Sequence, residues 1–282
     1  MSLLFKKIKD IRNHLNTMRC DRNASVGFVP TMGYLHEGHK ALIKESKLQN
    51  DITVVSIYVN PTQFGEGEDY ERYPRDLERD MAICDELGVD VVFAPSDDEM
   101  YPHEHLTEVY VKHLSEILEG KFRPGHFKGV TTVVLKLLNI VQPDRAYFGE
   151  KDYQQLKIIQ RMARDLLLPL QIVPVETVRE KDGLAYSSRN VYLSQEERES
   201  ALSIYRSFLL AQEIINQGET NSEIVKREME EFIKKHPYVK KIDYIEITDP
   251  ELNPKSRVEK GDRILVALWV GSTRLIDNWK VL

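Results

Sequence analysis

Cysteine is scarce in this chain. The 282 residues hold two, Cys20 and Cys84, far apart and without a Cys-x-x-Cys pair. A disulfide framework or a zinc ribbon has no support from that pattern, and a reducing, cytoplasmic compartment is expected. Basic excess is missing as well. Lys and Arg number 39 against 45 Asp and Glu, a formal net charge of −6. The surface therefore lacks the positive field that binding to a phosphate backbone demands, and no nucleic-acid partner is expected. No apolar run is long enough to span a membrane. The opening MSLLFKKIKDIRNHL scatters Lys6, Lys7, Lys9 and Arg12 among its apolar residues, unlike the uninterrupted stretch of a secretory signal. Ile8, Ile11 and Leu15 recur there at helical spacing, which predicts an amphipathic helix packed on the core.

What remains is an ordinary globular composition, 41% hydrophobic and 30% charged. Its length suffices for about two domains, each with its own core and no need of staples. Short apolar runs at 26–30, 52–60 and 91–95 alternate with helix-period stretches. The pattern resumes with a helix over 130–140, a strand over 145–148, a helix over 152–166 and a strand over 171–175. Repeated βαβ units imply an α/β fold, a Rossmann-like parallel sheet with helices on both faces. That domain is expected to occupy 1–190. Over 191–282, Ser194 and Glu197 have capping-box spacing and open a long helix toward Gln217; a second helix runs to about His236. Strand runs at 242–248, 264–270 and 274–279 then follow closely, separated by Pro250, Pro254, Gly261 and Gly271. Close spacing predicts antiparallel pairing in a smaller α+β domain.

Ligands of open parallel sheets bind beyond the carboxyl ends of the strands, so the polar residues there carry the functional signal. The first such place is Thr31-Met32-Gly33-Tyr34-Leu35-His36-Glu37-Gly38-His39. Its glycines allow close backbone approach, and the helix start offers N–H groups and a positive dipole end to phosphate. His36 and His39 share one face of the first helical turn and could donate to phosphate oxygens. The spacing H-E-G-H is not the H-E-x-x-H of zinc proteases, and no third ligand stands nearby. A capped helix start with two surface histidines is the competing reading.

Asn60-Pro61-Thr62-Gln63-Phe64-Gly65 places neutral amides after the next strand, although Asn-Pro also simply begins turns. Phe148-Gly149-Glu150-Lys151-Asp152-Tyr153-Gln154-Gln155 offers Lys151 as a point charge for phosphate. There, helix capping by Asp152 with Gln155 is the alternative. Asp182-Gly183-Leu184-Ala185-Tyr186-Ser187-Ser188-Arg189-Asn190 combines hydroxyls with a guanidinium, either a loop that closes over a triphosphate or a plain linker. The basic loop KFRPGHFK, 121–128, either flanks an acidic ligand or is solvated.

Taken together and in this order, PTMGYLHEGH, VNPTQFG, RPGHFKGV, FGEKDYQQL and DGLAYSSRN resemble the pantoate–β-alanine ligases, the pantothenate synthetases, across nearly the whole chain. The H-x-G-H alone is shared with class I aminoacyl-tRNA synthetases and many nucleotidyltransferases. The resemblance implies that (R)-pantoate attacks the α-phosphate of ATP, releasing diphosphate, and that the amine of β-alanine then attacks the pantoyl adenylate to give pantothenate and AMP. It also implies magnesium with the ATP, on ligands that no acidic pair in the sequence identifies, and a homodimer formed by the larger domain.

Position by position, Met32, Gly33, Tyr34, Leu35, His36, Glu37, Gly38 and His39 resemble the ATP loop, with His39 the proton donor and His36 its partner. Gly149, Glu150, Lys151, Asp152 and Val178 resemble further ATP positions. Tyr186, Ser187, Ser188 and Arg189 are similar to the mobile KMSKS loop, with Tyr186 standing where the family more often has Met. Lys151, Ser187, Ser188 and Arg189 join the two histidines as candidate catalytic residues. Gln63 resembles the amide shared by pantoate and β-alanine, and Gln155 a second pantoate contact. An adenylyltransferase that keeps the nucleotide on its product, a tRNA synthetase and a nucleotide-binding regulatory module are the rival readings.

Overall fold

The computed structural model describes residues 1–102 and 105–282. Six strands, β1 (Leu3–Phe5), β2 (Val26–Thr31), β3 (Ile52–Ile57), β4 (Val91–Phe93), β5 (Arg145–Gly149) and β6 (Gln171–Val175), form one sheet. Their order is β1-β4-β3-β2-β5-β6 and every neighbouring pair is parallel. The central strands are apolar on both faces because helices cover both: Val26, Phe28 and Val29 in β2 and Val54 and Val55 in β3 have no exposed surface. The helices of this part are α1 (Ile8–Arg22), α2 (Glu37–Gln49), α3 (Leu77–Glu86), the single turns α4 (Asp97–Met100) and α5 (Glu119–Phe122), α6 (His126–Val141) and α7 (Tyr153–Asp165). Val29, Leu35, Leu42, Ile43, Val55, Val92 and Tyr147 share one core with Cys84, which packs as a small apolar side chain.

From β2 the chain steps outward through β3 to β4, then returns to the other side of β2 for β5 and β6. The order therefore reverses between β2 and β5, and the crevice at their carboxyl ends is where such sheets bind ligands. Thr31 ends β2 and Gly149 ends β5. Two of the segments singled out from the sequence thus begin at the switch point.

One expectation is corrected at the amino end. Residues 3–5 are not part of the amphipathic helix but an edge strand, Leu3 to Phe5 against Val91 to Phe93. Helical spacing begins only at Ile8, and the partner strand lies too far along the chain for any local pattern to reveal it.

The remaining elements are α8 (Gln195–Asn216), α9 (Ser222–Lys234), and the antiparallel sheet β7 (Val239–Thr248), β8 (Arg263–Val270) and β9 (Thr273–Lys280). The predicted capping box is formed: Ser194 Oγ accepts from the Glu197 N–H at 3.1 Å while the Ser194 N–H donates to Glu197 at 2.9 Å. Phe208, Val225, Met229, Ile264, Val266 and Leu268 make a separate core here.

The chain divides into two compact units, Met1–Glu150 with Gln155–Glu176, and Lys151–Gln154 with Thr177–Leu282. The division lies earlier than the boundary at 190 read from the sequence. Residues 177–190 belong to the second unit because Arg179 forms a paired contact with Asp277 of β9, at 2.6 and 3.1 Å, and bridges to Ala185. Asp-Gly turn chemistry signals a turn there but not its partner.

Candidate active site

The loop after β2 is built on left-handed backbone. Gly33 has φ +80° and Tyr34 φ +50°, the latter a conformation that a side-chain-bearing residue adopts only when its surroundings hold it. Asp80 of α3 does so. Fully buried, it accepts the Tyr34 and Leu35 N–H groups at 2.7 Å each. Burial lifts its carboxyl above the ordinary range, and these two bonds pull the other way. A Cβ on Gly33 would stand 2.9 Å from the same carboxylate, so glycine is required twice, by conformation and by space. Nothing in the local sequence marks Asp80 as part of this loop.

The two histidines are themselves the cap of α2. His36 is the N-cap residue; its Nδ1 accepts from the Gly38 N–H at 3.1 Å, and the His39 Nδ1 accepts from the His36 N–H at 3.3 Å. Their rings lie 4.0 Å apart. An accepting Nδ1 places the proton of a neutral imidazole on Nε2, so each ring presents a donor at the edge away from the helix backbone. The helix-cap reading and the phosphate reading are therefore compatible, since they use opposite edges of the same rings. Of the N–H groups in this segment, those of Tyr34, Leu35, His36 and Gly38 have internal acceptors. Glu37 forms an ion pair with Lys40 at 2.8 Å.

Gln63 closes the 3-10 turn Pro61–Gln63 that follows β3 and is buried. Its Oε1 accepts from Asn60 Nδ2 at 3.2 Å, which fixes the amide orientation, and its Nε2 points to Met32 Sδ at 3.0 Å. This joins the Asn-Pro segment to the loop after β2. The backbone of Gln63 is held too: its carbonyl accepts from His126 Nδ1 at 2.8 Å. Gly129 of α6 packs so tightly that a Cβ there would sit 2.3 Å from the Thr62 carbonyl oxygen. Much of the basic loop is committed as well. Arg123 pairs with Glu68 through two nitrogens, at 2.7 and 2.5 Å, and lies 3.1 Å from His126 Nε2; Lys128 pairs with Glu108.

His126 thus donates from Nδ1 and accepts at Nε2, which only the neutral ring can do. Burial, with the Arg123 guanidinium adjacent, pushes its pKa down to about 4, from an ordinary value of about 6.5. Between those values the unfolded chain binds more protons, so stability rises with pH across the window and is lost as pH falls through it. Urea midpoints measured from pH 4 to 7 should show this slope in the native chain and a flatter one in His126→Asn; equal slopes would exclude a neutral, half-buried His126.

Among the remaining candidates, Gly149 ends β5 and Glu150 begins the 3-10 turn Glu150–Asp152 that leads into α7, where Gln155 lies in the first turn. Lys151, Asp152, Val178, Tyr186, Ser187, Ser188 and Arg189 belong to the second unit. Lys151 Nζ is 3.5 Å from its neighbour Asp152. The Val178 carbonyl accepts from the Tyr186 N–H at 3.1 Å. Ser187 caps the 3-10 turn Ser188–Tyr192, accepting from the Arg189 N–H at 3.2 Å, and Ser188 is buried.

The family model for pantoate–β-alanine ligase matches residues 3–280. The chain belongs to the pantoate–β-alanine ligase family. It is 68% identical over its whole length to a pantothenate synthetase of Aquifex aeolicus, covering 99% of that protein. Among solved structures, a pantothenate synthetase from Thermus thermophilus superposes with a TM-score of 0.93 at 49% identity, with 99% of both chains covered. A pantoate–β-alanine ligase from Francisella tularensis, complexed with β,γ-ATP and β-alanine, does so at 0.82 and 38%, covering 99% of this chain and 98% of that one. As a ligase of this family, the enzyme condenses pantoate with β-alanine at the expense of ATP, through a pantoyl adenylate, and releases AMP and diphosphate. Among the described residues no helix is long and apolar enough to cross a membrane, and no three His, Cys, Asp or Glu side chains could hold a metal ion.

Proposed function

We propose that the loop 32–39 binds MgATP at the switch point, and that His36 and His39 donate from Nε2 to its phosphate oxygens while pantoate attacks the α-phosphate. The observation that carries this reading is the commitment of both Nδ1 atoms to the α2 cap. It orients both rings in advance, and a preorganised donor costs no rearrangement as charge develops. Gln63, with its Oε1 held by Asn60 and one N–H given to Met32 Sδ, directs its remaining N–H toward an acid, first pantoate and then β-alanine; Gln155 is the second pantoate contact. Gly149, Glu150, Asp152 and Val178 complete the nucleotide site, Lys151 and Arg189 supply charge to the triphosphate, and Tyr186, Ser187 and Ser188 form the loop that closes on it. The complex of the Francisella relative with β,γ-ATP and β-alanine supports these two molecules as ligands.

Magnesium enters as part of the substrate, since Mg²⁺ bound to nucleotides keeps several waters and leans on phosphates more than on a protein cage. The working enzyme is a cytoplasmic homodimer, which sedimentation at micromolar concentration checks.

Pantoate-dependent exchange of labelled diphosphate into ATP, followed by AMP release on adding β-alanine, tests the reaction assigned to these residues. Exchange without β-alanine-dependent AMP release would indicate an adenylyltransferase, and ATP binding without exchange a regulatory module. In the same assay Gln63→Ala should raise KM for pantoate by about 10- to 100-fold, as expected when a partner's hydrogen bond is left unmade, with KM for ATP little changed. An unaltered pantoate KM would remove Gln63 from the acid site.

A further inference from the structure

We propose that Asn278, on the last strand of the chain, is a positioning residue for Lys151. The inference rests on the reading of Lys151 as a charge on the triphosphate. Lys151 follows β5 by two residues, yet the segment Lys151–Gln154 packs as part of the second unit, whereas Glu150 and Gln155 on either side belong to the first. Three contacts hold it there. Asn278 Nδ2 donates to the Lys151 carbonyl at 2.9 Å, the Tyr153 hydroxyl donates to the Pro250 carbonyl at 2.9 Å, and the Arg263 guanidinium lies 4.2 Å over the Tyr153 ring. Asn278, Tyr153 and Arg263 are all buried.

Asparagine suits this place because its amide donates and accepts at once. While Nδ2 holds Lys151, Oδ1 accepts from Arg263 Nη1 at 3.2 Å. Aspartate would set a carboxylate against the Lys151 carbonyl, and an apolar residue would take these partners from that carbonyl and from the Arg263 guanidinium. The Asn278 backbone carbonyl accepts from Arg179 Nη2 at 3.1 Å, and Arg179 Nη1 donates to the Gly183 carbonyl at 3.1 Å. One strand position therefore anchors both the backbone under Lys151 and the turn leading to Ser187, Ser188 and Arg189. A lysine is a point charge on a flexible stem, so a fixed root decides where that charge is available.

The test is a cycle of Lys151→Ala, Asn278→Ala and the double variant, read as kcat and KM for diphosphate exchange, with amide hydrogen exchange of residues 151–154. Asn278→Ala should lower kcat by about 10- to 100-fold, the scale of a misplaced charge. It should leave KM for pantoate unchanged, speed exchange at 151–154, and have no further effect once Lys151 is alanine. If Asn278→Ala slows the Lys151→Ala enzyme by its full factor, or leaves 151–154 protected, the positioning role is overturned while Lys151 keeps its own. Should Lys151→Ala run at the native rate, the reading of Lys151 fails first and this inference with it. Tyr153→Phe removes only the bond to Pro250 and carries the same cycle if Asn278→Ala does not fold: a smaller loss that vanishes without Lys151 supports the proposal, and an additive one overturns it.

Discussion

Replacing His39 by alanine lowers the rate of pantoate-dependent diphosphate exchange by about 10²–10³, the usual cost of one preorganised donor to developing charge, and replacing His36 does the same. The two variants differ in what else they lose. His36 is the N-cap of α2 and its Nδ1 holds the Gly38 N–H, so His36→Ala also gives up about 1 kcal/mol of capping. His36→Asn separates the two roles, because asparagine is a good N-cap but has no donor where the imidazole Nε2 stands. It should keep the native urea midpoint and remain as slow as His36→Ala. A fast His36→Asn enzyme would return the residue to the cap alone. His39→Ala, which removes the acceptor of the His36 N–H, should lose rate far more than stability.

Asp80→Ala is expected to be the most disruptive change outside the histidine pair. Its carboxylate is the acceptor for two consecutive N–H groups in a loop that already holds Tyr34 at positive φ. Hydrogen bonds to a charged group are worth about 1.5–3 kcal/mol each, so losing both lowers the unfolding free energy by ~3 kcal/mol or more. The loop 32–39 relaxes with them, and since small displacements of positioned groups cost up to about 10²-fold, exchange activity should fall by at least about tenfold. Asp80→Asn keeps one accepting oxygen and should lie between native and alanine on both measures. Urea unfolding together with exchange at saturating pantoate provides the check. An Asp80→Ala chain with an unmoved midpoint would show that the loop holds its own conformation.

Which features were legible beforehand follows from the range of the interactions that make them. The capping box at Ser194 and the tight turn joining β8 to β9 rest on neighbours a few residues apart, where periodicity and turn chemistry act. The H-E-G-H segment was readable for the same reason: both histidines and the N–H groups they cap lie within one helical turn. β1 was not, because three residues have no period of their own and pair with β4 some ninety residues on.

By itself the sequence determined the class of fold, the family and the segments that carry the chemistry, since binary pattern and motif spacing are local properties of the chain. Only the tertiary structure decided how those segments are held. Asp80 reaches the Leu35 N–H across 45 residues, His126 takes its tautomer from Gln63 and Arg123, and Asn278 ties Lys151 to the second unit across 127 residues. Such contacts form where packing excludes water and a buried polar group must find a partner, and that partner is set by the fold rather than by proximity in the chain.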